Sequence, residues 1–384
     1  MIVSQKIAQL SSSIFIQLAQ CRDRARANGV DIIDLGVGTP DLPPAQHILD
    51  ALCDASRDPA NSRYAIQDLP ELTDAATSWY ARRYGVTLEP GQVCALSGSQ
   101  DGLAHLPLAL LNPGDAVLVP NPGYPIFSGG PLIASAKLHE MSLREESGYL
   151  VDFDAIPEDV ARRAKLMILS YPMNPLGVQA PPEFFARAVA FAKRYEIFIA
   201  HDNAYSELTY DGKACGSFLS TPGALDVGLE FNSLSKSHNM TGMRISFALG
   251  NRQAIDTLRS FKSNIDYGVF LPVQHAAIAA LNGPQDCVAQ LREAYQARRD
   301  ALVRGLSALG WHITPPQATM FAWAKLPPKH ADSMRFCMQL IEKTGVVMVP
   351  GISFGSLGEG YVRIALVRQP DDILEACRRI GTLP

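Results

Sequence analysis

A lysine stands just past a strand-like run, Leu229–Leu234, in the segment Ser233-Leu234-Ser235-Lys236-Ser237-His238-Asn239-Met240-Thr241-Gly242-Met243-Arg244. A lysine taken out of water holds its proton less tightly, and the neutral amine condenses readily with carbonyl groups to form a Schiff base. The hydroxyls of Ser233 and Ser235 and the guanidinium of Arg244 are donors suited to a phosphate dianion. Gly242 lets backbone pass close by. An exposed surface lysine needs no such crowding of phosphate donors. The segment therefore reads as a Schiff-base site for a phosphorylated carbonyl cofactor.

Other polar residues fall at the ends of apolar runs. Asp202 follows Ile197–Ala200, and a carboxylate at the end of a buried strand is costly unless it is paired. A protonated pyridine nitrogen is such a partner, and an acid there keeps the ring an electron sink. Tyr205, three residues on, suits a phenolic oxygen of the same ring; alone, D-x-x-Y reads equally as a helix N-cap. Asn174 is held between Pro172 and Pro175 and either reaches that oxygen or marks a simple turn. Gly98-Ser99-Gln100 precedes an apolar helix, and backbone N–H groups at a helix start bind phosphate. This is not G-x-G-x-x-G, so a dinucleotide reading is poor. Tyr124, in Asn121-Pro122-Gly123-Tyr124-Pro125, either stacks on a cofactor ring or packs beneath the proline turn. Arg363 alternates with apolar residues in Tyr361-Val362-Arg363-Ile364-Ala365, facing either solvent or a cleft where it would bind a carboxylate through both arms.

The elements that must position these residues are short strands alternating with helices. Val93–Leu96, Ala116–Val119, Leu166–Ser170, Ile197–Ala200, Leu229–Leu234 and Ser246–Leu249 read as strands. Helices at Leu103–Leu111 and Glu183–Tyr195 separate some of them. This order predicts an α/β fold with a mainly parallel sheet covered on both faces and ligands at the carboxyl ends of the strands. Beyond about residue 282 a long helix, Gln285–Leu309, leads into a smaller α+β region. The N-terminal helix is expected to join it. The division is a large domain over residues 46–281 and a discontinuous small one over 1–45 and 282–384.

Composition narrows the function further. Of 384 residues 47% are hydrophobic and 19% charged, and the formal net charge is −4. No basic face points to nucleic acid, and no apolar stretch approaches the ~18 residues of a membrane span. The first residues are too polar for a signal peptide, so a cytoplasmic protein is expected. Seven irregularly spaced cysteines and eight dispersed histidines give neither a disulfide framework nor a metal site. Gly351-Ile352-Ser353-Phe354-Gly355 matches the hydrolase pattern G-x-S-x-G, but Pro350, Gly358 and Gly360 favour a loop over a strand-to-helix elbow.

In this order, P-x-N-P at Pro172–Pro175, D-x-x-Y at Asp202–Tyr205, S-x-S-K at Ser233–Lys236 with Arg244 after it, and Y-V-R-I-A at Tyr361–Ala365 resemble the class I and II (fold type I) aminotransferases over nearly the whole chain. Ile33–Pro43 and Ser233–Gly242 are most similar to bacterial LL-diaminopimelate aminotransferases, with aspartate- and alanine-type enzymes as near neighbours. The resemblance implies a seven-stranded fold type I enzyme using pyridoxal 5′-phosphate. Such an enzyme would transfer an amino group from an L-amino acid to a 2-oxo acid by a ping-pong route; LL-diaminopimelate and 2-oxoglutarate are the candidate pair. A β-lyase acting on cysteine conjugates is the rival on the same fold. By resemblance Lys236 carries the cofactor, Asp202 pairs the ring nitrogen, Asn174 and Tyr205 hold the phenolic oxygen and Tyr124 stacks on the ring. Ser99, Gln100, Ser233, Ser235 and Arg244 hold the phosphate. Arg363, Asn174 and the Gly38 backbone receive the substrate α-carboxylate. Tyr64 would reach the phosphate of a second subunit, implying a homodimer with shared sites. Three positions depart from the family pattern: Leu176 replaces a threonine, Asp68 a glycine in a segment one residue short, and Met243 a tryptophan.

Overall fold

In the computed structural model, which describes residues 4–8, 10 and 13–383, the apolar runs become strands. They are β1 (Ile33–Asp34), β2 (Val93–Leu96), β3 (Ala116–Asn121), β4 (Lys137–Ser142), β5 (Ala164–Ser170), β6 (Phe198–Asp202), β7 (Gly228–Ser233), β8 (Ser246–Gly250), β9 (Phe321–Lys325), β10 (Val346–Val347), β11 (Val349–Pro350) and β12 (Tyr361–Ala365). Seven form one sheet in the order β2-β8-β7-β6-β5-β3-β4. Only β8 runs against its neighbours; the other pairs are parallel.

Both faces of this sheet are covered, which explains the continuous apolar runs. Along β3, Val117 and Val119 enter one core and Leu118 the other, as strand alternation requires. The first core also takes Leu103 and Leu106 of the helix Ser99–Leu110 and Ile255 and Leu258 of Arg252–Lys262. The second takes Phe184 and Ala188 of Pro182–Tyr195.

The rest of the chain builds against one end of this layer. β9, β12 and β11 make an antiparallel sheet, and β1 pairs with β10 from the far end of the chain. The helix Ser13–Ala27 packs on Ser333–Thr344, and Asp286–Ser307 on Pro370–Ile380. Two-armed ion pairs fix the long helix: Arg298 to Asp41 at 2.7 and 2.8 Å, and Arg299 to Asp211 at 2.7 Å through each arm. No helix among the described residues is long and apolar enough to cross a membrane. Residues Gly351–Phe354 form a short 3-10 turn, not a strand-to-helix elbow, and the Ser353 hydroxyl is buried without a hydrogen-bond partner.

Candidate active site

Strand direction gathers the polar residues at one edge. β2, β3, β5, β6 and β7 end there, and the segments that follow carry Ser99, Tyr124, Asn174, Tyr205 and Lys236; Asp202 is the last residue of β6. β8 runs the other way, so Arg244, just before its first residue, returns to the same edge. A cavity of about 540 Å³ opens at this edge. It is bordered by Gly38, Ser99, Gln100, Tyr124, Asn174, Asp202, Tyr205, Ser233, Ser235, Lys236, Arg244 and Arg363.

Lys236 points into this cavity from the short helix after β7, and its ammonium donates to the Gly38 carbonyl at 3.1 Å. Burial, then the positive charges of Arg363 and Arg244, lower its pKa to about 8. At neutral pH roughly a tenth of such amines are uncharged, against fewer than one in a thousand for an ordinary lysine.

Asp202 is buried, and its Oδ1 has no hydrogen-bond partner. Burial lifts its pKa to about 6, against the opposing pull of His201 and of the Ala204 N–H. A buried acceptor facing a cavity suits a donor, and a cationic one would bring the carboxylate back to its charged form. Behind it lies a closed network. Glu230 Oε1 accepts from Tyr80, Ser217 and Asn203, and Oε2 from the Phe218 N–H, with His201 Nδ1 at 2.9 Å. These donors hold the Glu230 carboxyl below the usual range against its burial. The Tyr171 N–H donates to His201 Nε2, which leaves Nδ1 as the protonated nitrogen facing Glu230.

The third feature is an anion cradle. The helix Ser99–Leu110 begins beside Arg244, whose guanidinium donates to the carbonyls of Thr241 (3.1 Å) and Ser97 (3.2 Å). Gly98 has φ +91°, and any side chain there would run into that guanidinium. Exposed N–H groups at the helix start, two serine hydroxyls and a guanidinium make a site for a doubly charged phosphate.

At the opposite wall Arg363 is buried. Nη1 donates to Asn174 Oδ1 at 3.1 Å and Nη2 to the Gly36 carbonyl at 2.7 Å, while Nε has no partner. The rings of Phe321 and Phe354 lie 4.2 and 4.8 Å from its central carbon. Burial lowers its pKa to about 10, so it remains a cation at neutral pH. No carboxylate pairs with it among the described residues, although the fold clamps Arg298 and Arg299 with carboxylates.

The sequence pattern of class I and II aminotransferases matches residues 30–380. The chain belongs to that family. It is 46% identical over 379 residues to an LL-diaminopimelate aminotransferase of Desulforudis audaxviator, covering 98% of this chain and 96% of that one. Among solved structures, substrate-bound BacF from Bacillus subtilis superimposes with a TM-score of 0.96 at 39% identity, covering 100% of this chain and 98% of that one. A probable N-succinyldiaminopimelate aminotransferase from Thermus thermophilus does so with 0.91 at 39% identity, covering 96% and 99%.

This aminotransferase fits the family's cofactor, pyridoxal 5′-phosphate. The unpartnered Asp202 oxygen suits a protonated ring nitrogen, the amine of lowered pKa an aldehyde, and the cradle around Gly98 and Arg244 a phosphate. Of the expected cofactor and substrate residues, Tyr64 does not border the cavity; it is 79% exposed, with its ring centroid 5.3 Å from that of Tyr267. Gly242, expected to let backbone pass close by, has open space where a side chain would stand. Two of the departures have structural reasons. Leu176 is buried in the core. Asp68 turns inward, and its Oδ2 accepts the Ala95 N–H at 2.8 Å on the outer edge of β2. Sequence reasoning overlooked Glu230, although a charge inside the apolar run of β7 was a visible signal. It also gave no role to Arg22, Phe321 and Asp34, which border the cavity; Asp34 was read only within the family-like segment Ile33–Pro43.

Proposed function

We propose that this aminotransferase exchanges an amino group between LL-diaminopimelate and 2-oxoglutarate, with Lys236 as the catalytic base and Arg363 as the receptor of the α-carboxylate. The observation that carries the reading is the buried Arg363, a cation without a carboxylate partner in the same cavity as an amine of lowered pKa. When bound, pyridoxal phosphate supplies an aldehyde carbon for the amino group and a ring that withdraws electrons from the substrate α-carbon.

The chain's own residues do the rest. Arg363 presents its fork to a carboxylate that amino acid and oxo acid share, so one receptor serves both half-reactions. Asn174, which accepts from that fork, orients it. Lys236 Nζ takes the proton from the substrate α-carbon and holds it for return. Asp202 keeps the ring nitrogen protonated, Tyr205 and Asn174 hold the phenolic oxygen, and Tyr124 covers the ring. Ser99, Gln100, Ser233, Ser235 and Arg244 hold the phosphate. LL-diaminopimelate is supported by the names of the relatives, of which the Desulforudis enzyme is 46% identical; 2-oxoglutarate is the proposed acceptor. The test is to mix the pure protein with LL-diaminopimelate and 2-oxoglutarate and to follow glutamate. Turnover of alanine or aspartate with none of LL-diaminopimelate would refute the substrate assignment.

We also read the chain as a homodimer with Tyr64 reaching the partner's phosphate site, as a cytoplasmic protein, and as two domains split at residues 46 and 281. The dimer is supported by an apolar surface made of Tyr64, Ile66, Ile265, Tyr267 and Phe270, each more than half exposed. A monomer rarely leaves such a cluster bare. The seven cysteines are all free, as suits a reducing compartment. The domain split is supported by the pairing of β1 with β10 and by the packing of Leu271–Asn282 on Gln46–Arg57.

A further inference from the structure

We infer that Arg22 and Asp34 form a receptor for a second charged end of the substrate, one that carries a carboxylate and an ammonium at the far end of an aliphatic chain. The inference rests on the reading that Arg363 holds the α-carboxylate.

The cavity has six charged side chains among the described residues. Lys236, Asp202 and Arg244 fit the cofactor, and Arg363 the α-carboxylate. Arg22 and Asp34 remain, one of each sign, on the wall that carries Arg363. They are connected to it: Asp34 Oδ1 accepts the Gly36 N–H at 2.9 Å, and the Gly36 carbonyl accepts from Arg363. The charged pair is therefore linked to the α-carboxylate receptor through one residue and two hydrogen bonds.

Apolar side chains line part of the same cavity. Phe15, Leu18, Ala19 and Arg22 of the helix Ser13–Ala27 all border the cavity. Their spacing puts them on one stripe of the helix, about 10 Å long. Val347 and Val349 border the same space. Methylene groups suit such a wall, and Arg22 ends it.

At Arg298–Asp41 and Arg299–Asp211 both arms of the arginine engage one carboxylate at 2.7–2.8 Å. Arg22 reaches Asp34 through Nη1 at 3.3 Å, while its Nε and Nη2 both lie 2.9 Å from the exposed Asp23, which leaves one N–H on each arm. A guanidinium has five N–H donors. Donors are left for a substrate carboxylate, and Asp34 Oδ2, so loosely paired, can take an ammonium.

The test uses two measurements on the holoenzyme and on Arg22→Gln, Arg22→Lys and Asp34→Asn, each with a melting curve. The first is equilibrium binding of two acids that cannot transaminate, pimelate and hexanoate. Pimelate is expected to bind the wild type roughly 10- to 100-fold more tightly than hexanoate, Arg22→Gln to erase that preference, and Arg22→Lys to restore part of it. The second is the ratio of kcat/KM for lysine to that for norleucine, which Asp34→Asn should lower; Asn keeps the oxygen that accepts the Gly36 N–H. Equal binding of pimelate and hexanoate by the wild type, or a preference that survives Arg22→Gln, overturns the inference. If the wild type ignores LL-diaminopimelate but keeps an Arg22-dependent preference for pimelate, the substrate assignment fails and this receptor stands.

Discussion

Lys236 and Arg363 are held by the same three residues. The lysine ammonium donates to the Gly38 carbonyl at 3.1 Å and the arginine fork to the Gly36 carbonyl at 2.7 Å. Val37 lies between these carbonyls, so the spacing between the amine and the guanidinium is set by a short stretch of backbone. A side chain at residue 38 would collide with the Phe321 ring, which itself lies over Arg363. Space, spacing and charge at this wall are thus one arrangement.

Arg363→Lys keeps the charge and loses the fork. Loss of a buried charge-assisted contact costs about 2–5 kcal/mol, roughly one and a half to nearly four decades. We expect kcat/KM to fall by that factor for every amino acid and oxo acid tested, while the bound cofactor keeps its absorption band. Steady-state kinetics of both half-reactions check this. A variant that melts earlier but turns over normally would make Arg363 a structural residue only.

Lys236 should reveal its lowered pKa when the cofactor is added to apoenzyme. The neutral amine attacks, so the attachment rate should rise about tenfold per pH unit below about pH 8 and level off above it. A lysine of ordinary pKa would keep gaining up to about pH 10. Lys236→Ala should bind the cofactor without a covalent link. Borohydride reduction and peptide mapping that placed the cofactor on another lysine would remove the assignment.

Gly98→Ala puts a methyl group where the Arg244 guanidinium lies, at a φ of +91°. Strain of this kind costs about 1–3 kcal/mol, and here it falls on the anion cradle. The cofactor dissociation constant should rise by roughly 10- to 100-fold. Equilibrium dialysis checks it, and an unchanged constant would argue against a phosphate at this helix start.

Tyr64 and its apolar neighbours predict a dimer by light scattering at micromolar concentration. Ile66→Glu and Tyr267→Glu together should shift the protein toward monomer and lower cofactor affinity. A wild type that is monomeric and fully active would contradict shared sites.

Asp68→Ala leaves the Ala95 N–H on the outer edge of β2 without its acceptor. An orphaned donor of this kind costs about 1–3 kcal/mol, which a shift in the denaturation midpoint would register. A midpoint unchanged within error would mean that water replaces the carboxylate.

The comparison of sequence with structure separates two kinds of residue. Six strands of the main sheet were legible because burial on both faces leaves unbroken apolar runs. The seventh, β4, is an edge strand reading Lys-Leu-His-Glu-Met-Ser in which only Met141 is buried, so neither alternation nor an apolar run marks it. β1 and β10 have two residues each and exist only as a pair. Lys236, Asp202, Asn174 and Arg363 stand in motifs because the chain near them is fixed by strand ends and prolines. Arg22 stands at an ordinary helix position and meets Asp34 only through the fold, and Asp68 was marked in the sequence as a departure whose bond to Ala95, 27 residues on, no local pattern shows.

The reversed strand β8 has a consequence for chain length. Because β7 and β8 meet as an antiparallel pair at Ser233 and Ser246, the connection between them carries both the amine and the guanidinium of the cradle. An inserted residue there would change the reach from Lys236 to Arg244. The turns at the other edge of the sheet, such as Asn112–Asp115 before β3, face away from the cavity. Length variation, affinity tags and fluorescent reporters belong at that chemically silent edge.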